Sequence, residues 1–134
     1  MSSKLTLKIK DFPVRGGSIT FKISSANIGQ KLVGSAWIPK LTVTRKPDSY
    51  SPRLWMMATL KYTKPDSPDS SLQQLTITQD KYDTNGNFIS GTTIDFFDAV
   101  VDKARIMGRE EEITFLADRK SGEFMISNIE VFFD

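Results

Sequence analysis

Residues 39–57 read Pro39-Lys40-Leu41-Thr42-Val43-Thr44-Arg45-Lys46-Pro47-Asp48-Ser49-Tyr50-Ser51-Pro52-Arg53-Leu54-Trp55-Met56-Met57, an alternating strand running into a marked helix start. Leu41 and Val43 fall on one face of the strand and Thr42 and Thr44 on the other. Ser51 is suited to the N-cap, where its oxygen accepts from an otherwise unpaired first-turn amide, and Pro52 to the first helical position, where its missing donor costs nothing. Beyond it, Leu54, Trp55, Met56, Met57, Ala58 and Leu60 point to nearly every side at about 100° per residue. A helix of this kind needs cover on more than one side. The expectation is that Trp55, Met56, Met57 and Leu60 contribute to a subunit interface.

Working outward, two-residue alternation dominates the chain. Leu5, Leu7 and Ile9 share one face of a first strand, with Lys4, Thr6, Lys8 and Lys10 on the other. After a turn through residues 11–17, Ile19, Phe21 and Ile23 face inward opposite Thr20, Lys22 and Ser24. Residues 24–40 read as one broken strand or two short ones. Residues 64–71 form a polar, proline-bearing loop. Asn85-Gly86 marks a hairpin, since both residue types tolerate the positive φ of a tight turn. The closing strands are placed at residues 113–117 and 124–133, joined by a charged turn at 118–122. Residues 98–107 fit either a strand or an amphipathic helix ended by Gly108, and Ile94, Phe96 and Val100 favour the strand. About eight strands and one helix predict a mainly β domain, a small antiparallel barrel or sandwich with one flanking helix, spanning residues 1–134.

Composition narrows the chemistry. The chain has 134 residues, 39% of them hydrophobic, which suits one domain with one core. Eighteen Lys and Arg against sixteen Asp and Glu give a net charge of +2 with no basic block, so neither nucleic acid nor a membrane is an expected partner. No apolar run approaches the roughly 18 residues of a membrane span, and the alternating N-terminus reads as a strand and not a signal peptide. With neither histidine nor cysteine, thiol nucleophiles, Ser-His pairs and the usual zinc ligands are missing. Only carboxylates remain. Asp95 and Asp98, or the run Glu110-Glu111-Glu112, would need to be held across a cleft to act as an acid pair. In turns such acids are mostly solvated charge. Residues 83–87 faintly resemble a calcium loop but fit a hairpin turn better. No catalytic residue, cofactor or metal is expected.

Three pieces of sequence together resemble the haemolysin-coregulated protein family, the tube proteins of type VI secretion systems. They are the strand Leu41–Thr44 followed by Asp48, Ser51, Pro52 and Leu54; Thr93-Ile94-Asp95-Phe96-Phe97-Asp98-Ala99-Val100-Val101; and Glu111-Glu112-Ile113-Thr114-Phe115. The resemblance covers roughly residues 39–134. It implies a structural protein and not an enzyme: homohexameric rings joined edge to edge, stacked into a tube inside a sheath on a baseplate, exported with a spike and with effectors in the pore. It implies a cytoplasmic protein that leaves the cell without a signal peptide. Ring stacking is expected through polar turns, with Lys64, Asp66, Asp83, Asn85, Asp118, Arg119 and Lys120 as candidates. The alternatives are a tail-tube subunit of a phage-like particle, or a monomeric β-barrel that binds a ligand through Trp37 and Trp55.

Overall fold

A computed structural model of the chain describes residues 2–63, 71–121 and 129–132. In chain order the elements are β1 (Ser2–Lys10), β2 (Ser18–Lys22), β3 (Ser25–Val33), β4 (Ala36–Arg45), α1 (Ser51–Thr63), β5 (Ser71–Tyr82), β6 (Phe88–Met107), β7 (Glu110–Lys120) and β8 (Ile129–Phe132). The strands form one antiparallel sheet in the order β2-β1-β5-β6-β7-β4-β3-β8. Among the described residues it is open, with β2 and β8 at its edges.

The sheet curls because its apolar residues share one face. Leu5, Leu7 and Ile9 of β1, Phe21 of β2, Leu41 and Val43 of β4 and Ile113 and Phe115 of β7 are all buried in one cluster. Curling brings the edge strand β2 under β4: the Arg45 guanidinium lies 4.2 Å from the centre of the Phe21 ring. Phe12, Phe96 and Phe115 are the largest fully buried side chains. Each contributes on the order of 1.5–3 kcal/mol by leaving water.

Residues 24–40 resolve into the β3–β4 hairpin, turning at Gly34 with φ +63°, a conformation that glycine adopts freely. The reading of residues 98–107 as strand holds, and β6 is a single strand of 20 residues. Its alternation changes phase midway. Ile94 and Phe96 point into the core, and so do Ala99 and Val101. The change occurs at Asp98, a non-glycine residue at φ +53°. β5 shifts with it, burying Leu75 and Ile77 but also Leu72, so the register is kept from Gln74↔Phe97 to Leu72↔Ala99 across the skipped residues Gln73 and Asp98. A bulge at Asp102, the residue skipped between Val101↔Phe115 and Lys103↔Thr114, bends β6 once more.

Two expectations are corrected. The charged segment Asp118-Arg119-Lys120 is not a turn but the end of β7, with Arg119 opposite Phe97 and Lys120 opposite Phe96. The helix is not apolar all round in its packing. Leu54 and Met57 are buried and Ala58 is partly so, whereas Trp55 and Met56 are exposed. One i, i+3, i+4 stripe suffices because α1 packs mainly against one element, β6. Met57 therefore belongs to the core of its own chain, leaving Trp55, Met56 and the half-buried Leu60 free to meet another surface.

Candidate functional site

The helix start is built on a buried ionic cluster. Arg45 ends β4 and Glu111 begins the β7 ladder directly opposite it. Both point inward and are almost wholly buried, at 2% and 0% exposure. Arg45 Nη1 donates to Glu111 Oε2 at 2.7 Å, and its Nη2 donates to Asp48. Ser51 Oγ donates to Glu111 Oε2 at 2.6 Å, and the Trp55 indole Nε1 donates to Oε1 at 2.8 Å. The carboxylate is thus held by a guanidinium, a hydroxyl and an indole. Such charge-assisted bonds are what allow a carboxylate to remain inside a protein. Arg45 Nε is buried without a partner.

This geometry explains the Asp48-x-x-Ser51-Pro52-x-Leu54 spacing and revises the role of Ser51. Its oxygen does not cap a first-turn amide; it accepts from the Asp48 amide at 3.0 Å, outside the helix, and gives its proton to Glu111. Asp48 holds the turn instead, accepting from the Tyr50 amide at 2.9 Å and, through its carbonyl, from the Ser51 amide at 3.1 Å. Pro52 occupies the first turn, where its lack of a donor is harmless, and Leu54 enters the core. Ser51→Ala removes a donor from a buried carboxylate and not merely a cap. It is expected to cost about 1–3 kcal/mol, read as a lowered urea midpoint at unchanged slope. A loss below about 0.5 kcal/mol would show that Glu111 does not depend on this hydroxyl.

The other acids are occupied separately. Glu110 accepts from Ser24 Oγ at 2.6 Å, Glu112 from Arg105 Nε at 2.9 Å, and Asp95 from Thr76 Oγ1 at 2.7 Å. Asp98 lies 3.9 Å from Arg119, whose guanidinium stacks on Phe97 at 4.8 Å. Among the described residues no three acids come together as a metal site would require. At the β5–β6 turn, Asp83 Oδ1 accepts from the amides of Asn87 at 2.8 Å and Asn85 at 2.9 Å. The Asn87 amide foremost holds this carboxyl below the ordinary aspartate range. Only Gly86 of the Asn85-Gly86 pair takes the positive φ, +83°.

Of the residues expected at stacking contacts, Asp83 and Asn85 stand at the exposed β5–β6 turn, and Asp118, Arg119 and Lys120 lie on β7 toward the same end of β6. Lys64 and Asp66 lie outside the described residues, as does most of the strand expected at 124–133. Trp37 and Trp55 are not gathered into one site. Trp37 stands 63% exposed on the β3–β4 hairpin, and Trp55 is tied by its N–H to Glu111. Sequence reasoning missed the exposed apolar side chains at three hairpin tips: Leu32, Val33 and Trp37 on β3–β4, Phe88 and Ile89 on β5–β6, and Ile106 and Met107 on β6–β7. The available signal was an apolar pair directly beside each turn.

No family model matches the sequence, and no curated protein does either. Solved structures do. A crystal structure of an Hcp protein superimposes with a TM-score of 0.60 at 9% identity, covering 99% of both chains. The chain has the Hcp fold. The secreted protein Hcp3 from Pseudomonas aeruginosa matches over 99% of both chains with a TM-score of 0.56 and 11% identity. The Hcp1 protein of an enteroaggregative E. coli pathovar, EAEC 042, matches with a TM-score of 0.55 and 17% identity, over 97% of this chain and 95% of that one. At such identities the overall fold is what is shared. The Hcp fold of this chain is thus kept by different side chains over nearly its whole length.

Proposed function

We propose that this protein is a tube subunit of a type VI secretion system, forming homohexameric rings that stack. The observation that carries the proposal is the Hcp fold over essentially the entire chain. Two surface features support it. Among the described residues the sheet has unpaired edges, which in a monomer invite aggregation and in a closed ring become partners. Trp55 and Met56 expose apolar area on the helix, and the hairpin tips expose more. The role is steric and mechanical. The subunit assembles in the cytoplasm within a sheath on a baseplate, leaves with the spike, and carries effectors in the pore. That Hcp3 is a secreted protein fits export of this chain. Ring-to-ring contacts through polar surfaces such as Asp83, Asn85 and the Asp118–Lys120 segment bury little apolar area and are screened by salt, so stacking is weak until nucleated.

Size-exclusion chromatography with light scattering tests the proposal. The expected result is a mass of six subunits at micromolar concentration, and Met56→Lys is expected to lower that mass without changing the cooperativity of melting. A peak that stays at 15.1 kDa as concentration rises would overturn it.

A further inference from the structure

The solvent face of β2, β1 and β5 carries lysines, with one aromatic residue, Tyr82, at the end of β5 opposite Ser2. Lys4, Lys8 and Lys10 alternate along β1, and Lys22 stands beside them on β2, opposite Thr6. All four are exposed. Among the described residues none has a carboxylate within ion-pair distance. Asp80, opposite Lys4, is an acid of this face, and Asp95 of β6 adjoins it opposite Thr76. On a chain with a net charge of only +2, this is a local concentration of positive charge.

The face is also concave. Lys8 and Lys10 flank a groove of about 280 Å³ between the β1–β2 turn and β5, floored by Gly16, Gly17, Ser18, Gln74 and Thr76. Its lining has no apolar side chain. The Thr76 hydroxyl is committed to Asp95 at 2.7 Å and accepts from Gln74 Nε2 at 3.4 Å, leaving the second amide hydrogen of Gln74 free. The Gly16 and Gly17 amides are spent on Asp11 and Val14. What the groove offers a ligand is therefore two ammonium groups, an amide N–H and the Ser18 hydroxyl. Its two charges are both positive, and although Ser18 and Gln74 each bring an acceptor as well as a donor, the balance matches an anion.

We infer that this groove binds a carboxylate side chain, and that the lysine face as a whole docks an acidic segment of a partner protein. A protein segment is favoured over a nucleic acid because the aromatic rings on this side of the sheet are already engaged, Tyr82 packing on Phe88 and Phe97 lying under the Arg119 guanidinium, and the charges facing the groove are lysines with no arginine fork among them. It is favoured over a small free anion because Lys4 and Lys22 lie beyond the groove along the same face, placed for further carboxylates of one extended chain. The inference stands on the surface of a single subunit and does not depend on ring assembly.

Fluorescence anisotropy with a labelled oligoglutamate peptide at low salt tests it, with an oligothymidylate of matching charge as the competing probe. Binding of the peptide that weakens as salt is added is expected. Lys8→Glu with Lys10→Glu removes two attractions and adds two repulsions, each an exposed pair, and should weaken binding by about tenfold. Lys103→Glu with Arg109→Glu makes the same change in net charge on the β6–β7 hairpin and should leave binding within about twofold. Lys8→Gln with Lys10→Gln, which introduces no repulsion, should fall between them and guards against a misfolded reversal variant. Equal losses in the two charge-reversed proteins would show that net charge and not this face attracts the peptide. Tighter binding of the oligothymidylate, or no binding of the peptide at all, would also overturn the inference.

Discussion

Arg45→Ala is expected to destabilise the protein by about 3–5 kcal/mol, because it leaves the Glu111 carboxylate buried with no positive charge beside it. Ser51 and Trp55 would still donate to that carboxylate, but two neutral donors do not replace a guanidinium. Arg45→Lys should recover little, since a single ammonium cannot reach Glu111 and Asp48 together while stacking on Phe21. The informative comparison is the double variant Arg45→Met with Glu111→Leu. Replacing a buried pair with apolar groups of similar volume is often close to neutral, so the double variant should be markedly more stable than Arg45→Ala. Urea denaturation at fixed protein concentration measures all three, and fixed concentration matters because an oligomer adds to apparent stability. A loss below about 1 kcal/mol for Arg45→Ala would mean that water reaches Glu111 in the folded chain.

Met57→Ala and Met56→Ala form the second comparison. The two residues are adjacent and chemically identical, yet one is buried at 3% exposure and the other is 45% exposed. Met57→Ala should cost about 2–5 kcal/mol through lost burial and the cavity left between α1 and the sheet. Met56→Ala should stay within about 0.5 kcal/mol in a monomer. If the protein assembles through this part of the helix, the effect of Met56→Ala will appear in oligomeric mass and not in monomer stability. Equal losses of monomer stability would mean that the helix is rotated from the orientation described here.

The strands were readable from alternation because one face of the sheet is buried, and period-two patterning records that directly. Leu5, Leu7 and Ile9 needed no further information. The helix start was also readable, but its chemistry was not. Ser51 reads as a cap from its neighbours in sequence, whereas its actual partner, Glu111, lies 60 residues away. Glu111 sits between two other glutamates, and a run of acids looks solvated. In a strand, however, consecutive residues face opposite ways, so Glu110 and Glu112 take surface partners while Glu111 goes inside. Arg45, beside Lys46, likewise has nothing in its local sequence to mark it as buried. The helix seemed apolar all round because composition does not say how many neighbours it will have. The phase change at Asp98 was hidden for a different reason. A periodic pattern that shifts by one residue looks like a weak pattern, and this is why residues 98–107 could equally be drawn as a helix.

That phase change fixes how β6 can align with its neighbours. A uniformly alternating strand can slide by two residues against a partner and still present its apolar side chains to the same face. β6 cannot. Its two halves are out of step, and the residue that joins them must be one that accepts a left-handed backbone, a role aspartate fills more readily than Phe96 or Val100, two residues to either side. Sliding by one residue inverts both halves, and sliding by two moves the joint onto a side chain that resists the conformation. β5 carries the matching offset, so an error in either strand is rejected by the other. Asp98 thus acts like the key of a keyed connector, giving the longest strand of the sheet a single admissible alignment.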